Sequence, residues 1–152
     1  PPPQPWKVIV DSRLELSPAA RLLEAGNVLL VSAGQAVAEV AERAAALRER
    51  GAEILDFPDG KGRVDLLALL HELARRGLNE VHVEAGSRLN GALLAAGLVD
   101  EVLLYLAPCL LGDTAQGLFA LPALESLTGK HQLAIRAAER LGDDLRVLAR
   151  TT

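Results

Sequence analysis

The sequence predicts a layered α/β domain built around a mixed sheet. Three observations carry that expectation. Short apolar runs alternate with stretches of helical period, glycine follows each helical stretch, and the chain ends in two runs of alternating polarity about a turn. At 152 residues the chain suits one domain with a sizeable core. With half its residues hydrophobic but only 3% aromatic and no methionine, that core must be packed from Leu, Val, Ile and Ala.

Pro1 to Pro5 is a linker, because proline cannot donate to a strand ladder, and the domain is expected over residues 6–152. Trp6 to Val10 is the first strand, closed by Asp11-Ser12-Arg13. Those oxygens either serve a ligand at the carboxyl edge of the sheet or cap the turn that follows. Leu14 to Glu24 is mixed in character, and Asn27 to Val31 is the second strand, closed by Ser32-Ala33-Gly34. From Ala36 to Arg50 the residues Val37, Val40, Ala41, Ala44 and Leu47 repeat at helical spacing, with Glu39 and Arg43 paired on another face. Gly51 ends that helix. Ala52 to Phe57 is a strand and Pro58 to Gly62 a loop.

Asp65 is placed to cap a helix carrying Leu66, Leu69, Leu70 and Leu73, ended by Gly77. His71, Glu72, Arg75 and Arg76 are read as its solvated face. Val81 to Pro108 then reads as a β-α-β unit: a strand Val81–Val83 reaching Glu84, a helix Ser87–Ala96 with Leu89, Ala92, Leu93 and Ala96 on one face, Gly97, and a strand Val102–Ala107. Leu110 to Gly129 is an irregular crossing loop anchored by Leu118-Phe119. His131–Ala138 and Leu145–Ala149 form an antiparallel hairpin about Leu141–Asp144, which makes the sheet mixed.

The formal charge of −4 argues against a nucleic-acid or anionic-membrane surface. No apolar run approaches the ~20 residues of a membrane span, and a single cysteine, Cys109, excludes an internal disulfide and suits the cytoplasm. Cys109 is read as a small packed residue. His71, His82 and His131 show no ligand spacing with one another or with Cys109, so no metal site is expected.

The chemistry gathers at Glu84 to Gly91. A carboxylate at a strand end precedes Gly86, which opens onto a helix N-terminus whose unpaired amides and dipole favour an anion. "GSRLNG" has phosphate-loop glycine spacing without the Lys-Ser/Thr pair of a nucleoside-triphosphate site. Arg88 in the first turn opposes the helix dipole, which fits either an external anion or an unliganded surface arginine.

On "VEAGSRLNGALLAAGLVDEVLLYLAPCLLG", continuing through Gln116-Gly117-Leu118-Phe119 and found again in "KVIVDSRLELSP" and "KGRVDLLALL", the chain resembles the reductase domain of the bifunctional riboflavin-biosynthesis deaminase/reductase, RibD. The resemblance covers nearly the whole chain in order. It implies a three-layer α-β-α, dihydrofolate-reductase-like fold with a mixed sheet. It also implies NADPH as hydride donor and a ribosylaminopyrimidine 5′-phosphate as substrate, 5-amino-6-(5-phosphoribosylamino)uracil, reduced to the ribitylamino product. By the resemblance Glu84 contacts the substrate, while Ser12, Gly86, Ser87, Arg88, Leu89, Asn90, Gly91 and Ala92 hold the cofactor.

The family's domain begins with further strands before the one matching Trp6–Val10, and these carry an acidic residue associated with catalysis. The expectation is therefore a piece truncated at its N-terminus, inactive alone, joined in nature to an N-terminal zinc deaminase domain, and associating as a homo-oligomer through exposed sheet edges. Two alternatives stand beside it. One is a non-catalytic association module with a vestigial site, and the other is the related reductase acting on the diaminopyrimidine.

Overall fold

A computed structural model describes residues 4–34 and 38–152. The expected helical positions Ala36 and Val37, and the Glu39 side chain expected to pair with Arg43, lie outside what is described. The chain divides into two compact units, one ending at Glu80 and the other running from Val81 to Thr152.

The first unit holds strands β1 (Lys7–Val10), β2 (Val28–Ser32) and β3 (Glu53–Asp56), hydrogen-bonded as a parallel sheet in that order. Its helices are α1 (Ala38–Glu49) and α2 (Leu66–Arg75). Successive strand side chains face opposite sides, and β2 shows the result. Val28 and Leu30 pack in one buried cluster with Ala44 and Leu47 of α1, while Leu29 and Val31 pack in another with Leu69 and Leu73 of α2. Every residue of β2 is buried, as a parallel strand covered on both faces requires. This unit is thus three-layered by itself, helix on sheet on helix.

Asp65 caps α2 as its position predicts, its Oδ1 accepting from the Ala68 amide at 2.9 Å. The solvated-face reading of α2 holds for His71, which is exposed, and is corrected for Glu72 and Arg76, whose side chains are 16% and 23% exposed. Arg76 lies just past the last turn, within reach of the start of β3. Its guanidinium binds Glu72 at 2.7 Å and Glu53 at 2.6 and 2.8 Å, and Arg75 adds two bonds to Glu72.

Between β1 and β2 the mixed segment contains only a 3-10 turn, Arg21–Leu23. Leu14 adopts a left-handed backbone, φ 51°, and is fully buried. That conformation costs a non-glycine residue about 1–2 kcal/mol. Burying a leucine side chain returns roughly 1.5–3 kcal/mol, so core packing outweighs the strain.

The second unit holds α3 (Ser87–Ala95) and strands β4 (Glu101–Leu106), β5 (Leu133–Leu141) and β6 (Asp144–Thr151), in an antiparallel sheet ordered β4-β6-β5. The hairpin is present and longer than expected. Its turn is Gly142-Asp143 with Gly142 at φ 64°, the II′ pattern that suits the twist of paired strands. A bulge between Ile135 and Ala137 interrupts the β5–β6 register. Val102, Val147 and Ala149 are buried on one face. On the other face Arg146 pairs with Glu139 and Arg150 with Glu101, each with its cross-strand neighbour.

Both ladder types of the expected mixed sheet are therefore present, one in each unit. Four local expectations are corrected. Among the described residues Val81–Val83 joins no ladder, with Val81 and Val83 each 43% exposed, so the β-α-β reading retains only its helix and second strand. In α3 the buried residues are Gly91, Leu93 and Leu94; Leu89 is half-buried, and Ala92 and Ala96 are exposed. Leu118 is exposed and only Phe119 of that pair is half-buried, since the segment is held chiefly by polar bonds to α3. Cys109 is exposed because the segment that follows β4 leaves its side chains in solvent. No helix among the described residues is long and apolar enough to cross a membrane.

Candidate functional site

Glu84 to Ala92 forms one continuous feature of the second unit. His82 and Glu84 meet, Nε2 to Oε1 at 3.2 Å, with both side chains well exposed. Gly86 is the N-cap of α3, with ordinary extended torsions and no side-chain capping bond. The first intrahelical bond runs from the Asn90 amide to the Gly86 carbonyl at 3.1 Å, so the amides before it face the helix end. A Cβ placed on Gly86 would project into open space. Neither backbone strain nor packing therefore demands glycine there, and its bareness leaves room for a group to approach those amides. Arg88 is exposed, and its guanidinium makes no ion pair or hydrogen bond among the described residues.

The second glycine of the motif does a different job. A Cβ on Gly91 would lie 2.4 Å from the Ala120 carbonyl oxygen, closer than any carbon can sit. The chain from Gln116 to Ala120 crosses α3 here as a strap. The Ala120 amide donates to the Ser87 carbonyl at 2.8 Å, and Gln116 Nε2 donates to Ser87 Oγ at 2.9 Å. Asn90 Nδ2 donates to the carbonyls of Ala85 at 3.1 Å and Leu118 at 3.3 Å. Of the motif residues, Gly86 and Arg88 thus stand at the open helix end, Asn90 and Gly91 are engaged with the strap, and Ser87 stands at the helix end while bonded to the strap. Leu89 is half-buried and Ala92 exposed one turn further on.

Ser12 belongs to the first unit, at the carboxyl end of β1. Its carbonyl accepts from the Ala33 amide at 3.1 Å, tying the ends of β1 and β2 together. Asp11 beside it caps the turn, Oδ2 accepting from the Leu16 amide at 2.8 Å, which is the turn-capping alternative for that residue. The Arg43 guanidinium donates to the Leu14 carbonyl at 3.0 Å and fixes the turn from α1. At the same edge Ser32 Oγ is buried and donates to Asp56 Oδ1 at 3.0 Å, a pair that spacing alone did not single out. Gln116 likewise carries no local signal of its contact to Ser87, which lies 29 positions away in the sequence.

A family model described as the RibD C-terminal domain matches residues 1–147. The chain belongs to the RibD C-terminal domain family. Among its relatives is the riboflavin biosynthesis protein RibD of Escherichia coli, 35% identical over 143 residues that make up 93% of this chain and 37% of that protein. Another is the 2,5-diamino-6-ribosylamino-4(3H)-pyrimidinone 5′-phosphate reductase of Methanothermobacter thermautotrophicus, 35% identical over 144 residues, 93% of this chain and 63% of the relative. A solved structure of RibD from Acinetobacter baumannii superposes with a TM-score of 0.79 at 28% identity, covering 97% of this chain and 38% of that one. This RibD C-terminal domain therefore has the dihydrofolate-reductase-like α/β fold and spans well under half the length of the RibD proteins it matches.

Proposed function

We propose that this RibD C-terminal domain serves the NADPH-dependent reduction of 5-amino-6-(5-phosphoribosylamino)uracil to its ribitylamino product. The observation that carries the reading is the Glu84–Arg88 segment: an exposed carboxylate two residues ahead of a bare, uncapped helix end, followed by a hydroxyl and an unpaired guanidinium. An uncapped helix end with room above it suits a pyrophosphate. The amides after Gly86, the Ser87 hydroxyl and Arg88 would hold the cofactor's phosphates, and Glu84 would accept hydrogen bonds from the substrate's sugar or ring N–H groups. The bound nicotinamide would supply the hydride.

A second reading has specific support. The similarity to the Methanothermobacter reductase, at the same identity as to the E. coli protein, favours the diaminopyrimidine as an alternative substrate. Incubating the intact polypeptide that carries this chain with each pyrimidine, with NADPH or NADH, and identifying the products decides both questions. Oxidation of NADPH dependent on the uracil substrate is expected. Turnover only with the diaminopyrimidine would select the second reading, and no turnover with either would reject both. The 152 residues alone are expected to bind NADPH and not to turn it over; a steady rate from them would reject that part.

A further inference from the structure

We propose that Gln116 is a positioning residue for the cofactor, orienting the Ser87 hydroxyl so that its hydrogen points at a phosphate oxygen. The inference rests on the cofactor reading above and extends it to a residue outside the helix-end motif.

The argument is one of donor and acceptor capacity. A serine hydroxyl has one hydrogen to give and two lone pairs to receive with. A side-chain amide nitrogen can only donate, and Gln116 Nε2 stands 2.9 Å from Ser87 Oγ. That bond fills a lone pair and leaves the hydrogen uncommitted. Among the described residues no acceptor takes it. Ser87 is the first residue of α3, beside the unfilled space over Gly86, so the remaining hydrogen is available on the side where an anion is favoured. The partner needed there is a pure acceptor, which a phosphate oxygen is.

Gln116 is itself held in register. The Ala120 amide bonds to the Ser87 carbonyl, Asn90 ties Leu118 to Ala85, and the missing side chain of Gly91 lets Ala120 approach. The strap therefore carries its amide to the hydroxyl by fixed backbone contacts.

The test is a cycle of variants in the intact polypeptide that carries this chain, reading the Kd for NADPH by calorimetry and the melting temperature without cofactor. Gln116→Leu, which removes the donor without adding charge, is expected to weaken NADPH binding severalfold. Gln116→Glu, whose oxygens would draw the Ser87 hydrogen towards the strap, is expected to weaken it about tenfold, the scale of one charge-assisted hydrogen bond. In a Ser87→Ala background Gln116→Leu should have no further effect. An equal loss from Gln116→Leu with and without Ser87 would overturn the proposal, as would unchanged binding by Gln116→Leu and Gln116→Glu where Ser87→Ala alone weakens it. If Ser87→Ala leaves the Kd unchanged, the hydroxyl does not meet the cofactor and this inference fails; absence of NADPH binding by the unaltered polypeptide would instead reject the cofactor reading itself. A fall in melting temperature with an unaltered Kd would assign Gln116 to the strap's stability alone and also overturn it.

Discussion

The carbonyl oxygen of Ala120 occupies the place where a side chain on Gly91 would begin, 2.4 Å from the position of its Cβ. Any substitution there must push back a main-chain segment that also bonds to Ser87. Gly91→Ala should gain about 1 kcal/mol of helix propensity and lose about 1–3 kcal/mol to overpacking, for net destabilisation. Urea unfolding measures the balance. Hydrogen exchange at the Ala120 amide should accelerate as the strap lifts, and unchanged exchange would contradict the proposed contact.

Asn90 joins the residue before the helix to the strap through one amide group. Asn90→Asp keeps the shape but has no hydrogen to give, and faces a carboxylate towards two carbonyl oxygens. A loss of about 1–3 kcal/mol is expected, with a smaller one for Asn90→Ala, which returns some helix propensity. Denaturation of the two variants side by side should show Asp as the worse.

In the first unit the guanidinium groups of Arg75 and Arg76 hold the Glu72 carboxyl down from 4.5 to about 2, and Arg76 lowers that of Glu53. A carboxylate with a depressed folded pKa stabilises the fold above its unfolded pKa, and that contribution is lost as pH falls through the folded value. Stability from this cluster should therefore be level above about pH 5 and decline between about 4.5 and 2. Glu72→Gln should flatten that part of the profile in thermal melts. A profile equally steep in the variant would remove Glu72 from the account.

Leu14 is held in a left-handed conformation by its burial and by Arg43. Leu14→Gly relaxes about 1–2 kcal/mol of strain and forfeits about 2–5 kcal/mol of core packing, so the variant should be less stable. Arg43→Met, which removes the bond to the Leu14 carbonyl, should cost about 1 kcal/mol. Chemical denaturation should rank Leu14→Gly below Arg43→Met, and the reverse order would mean that the guanidinium, not the leucine, secures the turn.

Much of this architecture is legible in the sequence where the cause is local. Asp65 announces a cap because its oxygen need reach only three residues ahead, and β2 announces itself as an unbroken apolar run. The helix end at Gly86 is readable for the same reason. The strap is not, because Gln116 and Ser87 lie 29 positions apart and a polar loop carries no periodicity to betray its destination. Arg76 shows the same limit, reading as a surface charge until β3 brings Glu53 beside it. Leu14 is hidden differently, since nothing in a leucine advertises a left-handed backbone; that conformation follows from the core around it. Val81–Val83 has a strand's composition, but composition does not supply a partner.

The division at Glu80 also gives the molecule a convenient optical layout. Its single tryptophan, Trp6, precedes β1 in the first unit, and its single tyrosine, Tyr105, lies on β4 in the second. Each half thus carries its own natural chromophore, and the melting of one can be told from the melting of the other by emission wavelength without attaching a dye.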